Sequence, residues 1–243
     1  MNYIVVIPAR MKSSRLPGKP LIDIAGKTLI QRTYEQCIKA IPSNLVYVAT
    51  DDERIKQHCA EEGMQVLMTS DSCLTGTDRV AEVSNQIETD YYINVQGDEP
   101  LINPQDILDV VKAIKQYEGE IINGYAEVDN ADMWQSLSTP KVVCRNDGRL
   151  LYMSRAAIPG NKSGEYKKAW RQVCVYAYPQ QALDDFFKAN EKKAELEEIE
   201  DLEILRFLEM GYDVRMIPLS TDSIAVDHPE DVDKVLRRLN ENH

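Results

Sequence analysis

A chain of 243 residues, 43% of them hydrophobic, can bury a full core without disulfides or a structural metal, as one domain or as one domain carrying an insertion. Its formal net charge of −12 excludes a surface built to coat nucleic acid or an anionic membrane, since both demand positive charge. A polyanionic small molecule would have to be held by locally clustered cations or by a metal ion.

Taken in chain order, short apolar runs alternate with amphipathic stretches. Tyr3–Ile7 reads as a buried strand and Leu29–Ala40 as a helix. Leu45–Ala49 is a second strand, followed by a helix from Glu53 that Gly63 ends. Gln65–Met68 is a short strand, Asp78–Ile87 a helix and Tyr91–Val95 a further strand. Asn103-Pro104 opens a helix with Ile107, Leu108, Val111 and Ile114 on one face, asparagine suiting the N-cap and proline the first turn. This alternation predicts an α/β fold with a mostly parallel sheet and helices on both faces. Ligands of such sheets bind beyond the carboxyl ends of the strands, here after Ile7, Ala49 and Val95.

The second half has β character. Lys141–Cys144 and Leu150–Met153 flank Asp147-Gly148, a hairpin signal, and Gln172–Tyr178 is another strand. Residues from about 140 to 179 read as an insertion into a single domain spanning 1–243. A long acidic helix is predicted from Glu195 to Met210, closed by Gly211, then a strand from Asp213 to Pro218 and a last helix from Pro229. Cys37, Cys59, Cys73, Cys144 and Cys174 are odd in number and form no C-x-x-C pair, so buried reduced thiols are expected. No basic leader with an apolar stretch follows Met1, and no apolar run nears membrane-spanning length, so the expected location is cytoplasmic.

The loop after the first strand carries Arg10, Lys12, Arg15 and Lys19, with Ser13, Ser14 and Gly18 among them. Arginine forks phosphate oxygens, lysine acts as a point charge, and glycine lets backbone N–H groups approach. Such a loop suits a triphosphate, though it is neither a Walker A motif nor a dinucleotide fingerprint. Its other reading is a solvated basic loop.

Pro8-Ala9-Arg10 through Leu16-Pro17-Gly18-Lys19-Pro20-Leu21 resembles the P-A-R-x-x-S-x-R-L-P-G-K-P-L signature of the CMP-sugar synthetases. The resemblance is strongest to the CMP-Kdo synthetases, where Kdo is 3-deoxy-manno-octulosonate. It continues through Val48-Ala49-Thr50-Asp51, Thr75-Gly76-Thr77-Asp78-Arg79, Val95-Gln96-Gly97-Asp98-Glu99-Pro100, Ser154-Arg155-Ala156-Ala157-Ile158-Pro159 and Val226-Asp227-His228-Pro229-Glu230-Asp231. These segments stand in family order over nearly the whole chain. The resemblance implies a Rossmann-like nucleotidyltransferase fold, an inserted dimerisation region at about 140–179 and a homodimer. It implies CTP and a small acidic sugar as substrates, Mg²⁺ as cofactor, and a place in lipopolysaccharide or capsule precursor synthesis.

Carried over residue by residue, it puts Arg10, Arg15 and Lys19 on the CTP phosphates and Ala9, Thr77, Arg79 and Gln96 around the cytidine. Asp98 and Asp227 would hold magnesium, which often takes only one or two protein carboxylates. Asp227, just before Pro229, also has a local reading as a helix cap. Arg155, Gln172, Tyr176 and Glu203 would face the sugar. Lys19, Arg10 and Asp98 would serve catalysis, the sugar hydroxyl attacking the α-phosphorus and expelling pyrophosphate. His58, His228 and His243 form no nucleophile–base arrangement, leaving a metal-activated hydroxyl or a carboxylate as the base.

The sugar side departs from the pattern. Gln172 stands where the family has histidine, Cys174 where it has glycine, and Ile204 where it has glutamine. Kdo is the first expectation for the acceptor. An amino-Kdo, another ulosonic or nonulosonic acid, or a different CMP acceptor is the alternative, and a non-enzymatic CTP sensor is a rival of another class.

Overall fold

The structure is a computed structural model that describes residues 1–12, 16–189 and 192–241. Arg15, expected at the CTP phosphates, lies outside the described residues.

Apolar β1 (Tyr3–Ala9) lies at the heart of the sheet. A ribbon of β2 (Asp23–Ile24) and β3 (Lys27–Thr28) leads into α1 (Leu29–Ala40), whose N-cap Thr28 accepts from the Gln31 amide. Next come β4 (Val46–Thr50), α2 (Glu53–Glu61), β5 (Val66–Met68), α3 (Gly76–Ser84), β6 (Tyr91–Val95) and α4 (Pro104–Gln116). Asp52, Thr75 and Asn103 cap the three helices through their side chains, so each chain reversal after a strand is set by one short polar residue. Leu108, expected on the buried face of α4, is exposed; Ile107, Val110, Val111 and Ile114 form that face.

The remaining elements are β7 (Ile121–Glu127), α5 (Ala131–Gln135), β8 (Lys141–Cys144), β9 (Leu150–Ser154), β10 (Trp170–Pro179), α6 (Gln180–Lys188), α7 (Glu195–Glu200), α8 (Ile204–Glu209), β11 (Val214–Pro218) and α9 (Pro229–Glu241). The sheet order is β11-β7-β10-β6-β1-β4-β5. Only β10 runs against its neighbours on this path, antiparallel to β6 and β7; the other pairs are parallel. One apolar cluster packs α1, α2 and α4 on one face of the sheet, and a second packs α3, α6 and α8 on the other. The α/β expectation, mostly parallel with helices on both faces, therefore holds.

Within the segment 140–179, the β8–β9 hairpin turns at Asp147-Gly148 as the sequence suggests, Gly148 having φ 87°. The C-terminal half of β10, by contrast, is part of the main sheet between β6 and β7. The hairpin joins the same sheet as a side branch, β8 pairing with β10 at Trp170 and Arg171.

The single helix expected over Glu195–Met210 is two short helices, α7 and α8, with Asp201 left-handed between them (φ 51°). Buried Glu197 explains the break. Its carboxylate takes both Nε (2.5 Å) and Nη2 (2.8 Å) of buried Arg206. In a continuous helix, residues nine apart lie on opposite sides. The chain must fold back at Asp201 for the pair to meet. Among the described residues no helix is long and apolar enough to cross a membrane.

Candidate active site

Parallel β1, β4 and β6 end at one edge of the sheet, and a cavity of about 200 Å³ lies there, beyond the ends of β1 and β6. Its walls come from the end of β1 and the residue after it (Pro8, Ala9, Arg10), the N-terminus of α3 (Thr75, Gly76) and the residues after β6 (Gln96, Gly97, Asp98). Close packing builds the wall. A Cβ on Gly97 would sit 2.6 Å from the Pro8 carbonyl oxygen, and one on Gly76 would press on the Gln96 amide at 3.3 Å.

At the floor, Gly18 adopts φ 69° and turns the chain into a single 3-10 turn, Lys19–Leu21. The turn aims Lys19 at two carboxylates far apart in sequence. Its Nζ lies 2.7 Å from Asp98 Oδ2 and 3.1 Å from Asp227 Oδ1. Burial works against the Lys19 ammonium, yet the two aspartates more than offset it, and the pKa is raised above the ordinary lysine value. Asp227 is itself held in place by Asp231. From the first turn of α9, the Asp231 Oδ2 accepts the backbone N–H groups of Asp227 (3.1 Å) and His228 (2.9 Å).

Asp98 and Asp227 offer the hard oxygen donors magnesium prefers. Among the described residues no group of three His, Cys, Asp or Glu side chains is placed to hold a metal; magnesium often takes only one or two protein carboxylates, phosphate and water supplying the rest. Beside Asp98, burial foremost and then the neighbouring carboxylate push Glu99 up to about 7. Sequence reading passed over Glu99, which sat unremarked inside the Gln96–Pro100 motif.

Other expected residues divide. Arg10 and Ala9 line the cavity, as do Gln96 and Arg79. Arg79 is 3% exposed and pairs with Asp51 at 3.3 Å while donating to the Thr69 hydroxyl, so its guanidinium is fixed from behind. Thr77 is fully buried. Its amide (2.8 Å) and hydroxyl donate to Glu203, which also accepts from the Gly76 amide at 3.1 Å. Glu203 thus sits on the N-terminus of α3, favoured by the helix dipole, and lines the cavity itself. Burial raises its pKa.

The rest of the sugar set lies outside the cavity wall. Arg155 is spent on carbonyl oxygens of Leu137 (2.9 Å), Glu200 (2.7 Å) and Asp201 (3.0 Å). Gln172 donates to Asn123 Oδ1 at 3.2 Å, and Tyr176 stacks on Tyr178 with ring centres 5.8 Å apart. Ile204, expected to replace a sugar-facing glutamine, is instead buried in the core with Leu205 and Phe207. Cys174 stands close enough to Glu99 and Asp98 for their charges to add to burial in raising its pKa well above the thiol range.

The comparisons with known proteins agree with this architecture. Residues 4–216 match the cytidylyltransferase family model. The chain belongs to that family. It is 40% identical to the 8-amino-3,8-dideoxy-manno-octulosonate cytidylyltransferase of Shewanella oneidensis, across 98% of this chain and 99% of that protein. It is 39% identical to the 3-deoxy-manno-octulosonate cytidylyltransferase of Protochlamydia amoebophila, across 96% and 93%. A solved CMP:2-keto-3-deoxy-manno-octonic acid synthetase, complexed with CTP, superposes with a TM-score of 0.92 at 34% identity, covering all of both chains. The resemblance read from the motifs is thereby borne out, and so is the nucleotidyltransferase fold.

Proposed function

We propose that this chain transfers the cytidylyl group of CTP to a hydroxyl of a Kdo-type acidic sugar, releasing pyrophosphate. The observation that carries the reading is Lys19 held between Asp98 and Asp227 at the floor of a cavity walled by the Pro8-Ala9-Arg10 loop, in a family of cytidylyltransferases. The sugar hydroxyl oxygen attacks the α-phosphorus and forms the new P–O bond, its proton passing to a carboxylate or to water. The bond to the β-phosphate oxygen breaks, and pyrophosphate leaves with the electron pair. Negative charge grows on the phosphate oxygens during that exchange. Part-buried Lys19 opposes it with a fixed positive charge that water screens little, and exposed Arg10 adds a second cation at the cavity wall. Asp98 and Asp227 would hold Mg²⁺, which supplies further charge neutralisation when bound. Ala9, Gln96 and Arg79 suit the cytidine end, and Glu203 the sugar end.

Kdo is the first acceptor, and its 8-amino analogue the second. The second is favoured by the Shewanella relative. A homodimer, a cytoplasmic location and a place in lipopolysaccharide or capsule precursor synthesis complete the reading. The test is pyrophosphate release with CTP and Mg²⁺ against Kdo, 8-amino-Kdo and sialic-type acids. Turnover with either octulosonate supports it. CTP binding with no release across the panel would favour a sensor and overturn the enzymatic reading.

A further inference from the structure

Asp227 reaches the site on a segment without helix or strand, running from Leu219 to His228 between β11 and α9. Nothing in its own secondary structure fixes where that aspartate falls. Its carboxylate would repel that of Asp98 but for the Lys19 ammonium between them, 3.1 Å from Asp227 Oδ1 and 2.7 Å from Asp98 Oδ2. The strap is nevertheless fastened at successive points. The Ser220 amide and hydroxyl both bond the buried Asp106 carboxylate, at 2.9 and 2.7 Å. The Ser223 hydroxyl donates to buried Glu99. Between them, Arg171 from β10 donates to the Thr221 carbonyl at 3.4 Å. A further tie lies one residue before Asp227, where the Val226 amide donates to the carbonyl of Asp98 itself at 2.9 Å. Val226 is fully buried against Ile24, Leu29 and Val235.

Burying a carboxylate is costly, and holding a chain in place could be done by apolar packing alone. What two carboxylate–hydroxyl bonds add is direction and a fixed short reach. Both anchors belong to the segment that follows β6: Glu99 is next to Asp98, and Asp106 is in the first turn of α4. The strap is therefore registered against the very loop that carries Asp98. We infer that Ser220 and Ser223, through Asp106 and Glu99, are positioning residues that set the approach of Asp227 to Asp98 and so the affinity of the carboxylate pair for a divalent cation.

This inference rests on the metal-dependent reading above and deepens it. The probe is Mn²⁺, its binding to the full chain with CTP followed by electron paramagnetic resonance, alongside the Mg²⁺ dependence of turnover. Ser223→Ala and Ser220→Ala are each expected to weaken Mn²⁺ binding ~10-fold, as outer partners of metal ligands do, while CTP binding in chelator stays unchanged. Rates at saturating Mg²⁺ should approach those of the parent protein. Ser223→Thr, which keeps the hydroxyl, should restore affinity. Parent-like Mn²⁺ binding in both alanine variants, with only a lowered melting temperature, would make the strap bonds purely structural and overturn the inference. The metal reading fails separately if the parent protein binds no Mn²⁺ and Asp98→Asn changes nothing, and the inference then falls with it.

Discussion

Lys19 is the residue on which most converges, being the cation that meets both cavity-floor carboxylates. Removing one preorganised charge of this kind costs about 10²–10³ in rate, so Lys19→Ala is expected to lose that much kcat with its fold intact by circular dichroism. Near-parental turnover would take Lys19 out of the reaction. Glu99 gives a pH signature. Its folded pKa is raised to about 7 by burial, so the fold favours its neutral form. The stability it contributes is full below the ordinary carboxylate range and is lost as pH rises towards about 7. Denaturant titrations of the metal-free protein in chelator should show that decline, and Glu99→Gln should flatten it. An unchanged slope in the variant would place the titration elsewhere. At this scale the sequence was legible wherever a residue acts through a local motif, as with Lys19 after Gly18 and Asp98 after Gly97. It was not legible where a role depends on a distant partner. Nothing local marks Thr77 as bound by Glu203, or Arg155 as bonded to the carbonyls of Leu137, Glu200 and Asp201. Ile204 was read from its motif position, but its side chain points into the core.

Elements were legible where periodicity and caps agree. Leu29–Ala40 and Tyr91–Val95 form the helix and strand expected, and Asn103-Pro104 starts α4. The missing strand, β7, hides behind Asn123-Gly124, a pair that reads as a turn. Its asparagine instead bonds the carbonyls of Val173 (3.1 Å) and Val175 (2.9 Å) across the bulge of β10, and its glycine leaves room for Leu219. The broken acidic helix has a comparable cause. Arg206 joins Glu197 to Asp78 (3.0 Å) and lies over the Phe186 ring, so α7 and α8 are pinned to the N-terminal turn of α3. Replacing the cation by a similar-sized apolar side chain leaves two buried carboxylates without it. Arg206→Met is therefore expected to cost about 3–5 kcal/mol in chemical denaturation. A loss below about 1 kcal/mol, the worth of a surface pair, would show that the network contributes no more than an exposed one.

Over the whole molecule, exposed Leu137 (68%), Leu151 (56%) and Ile199 (71%) lie just after α5, in β9 and in α7, segments drawn together by Arg155 and Glu200. Apolar side chains gathered this way favour contact with a second copy. Light scattering at micromolar concentration should give a dimer, and Leu151→Glu should shift it towards monomer. A monomeric parent protein would remove the dimer from the reading. The antiparallel course of β10 has a consequence for how the chain is made. The β1-β4-β5-β6 half of the sheet and the β7-β11 half meet only through that strand. During synthesis, β6 therefore presents an open edge until about 80 further residues have emerged, a wait of several seconds at ~5–20 residues per second. Through that interval the nascent chain carries a strand of wholly buried type, paired with β1 on one side and open on the other, the kind of edge that other chains pair with. Newly made chains should depend on chaperones most between the appearance of Val95 and that of Pro179.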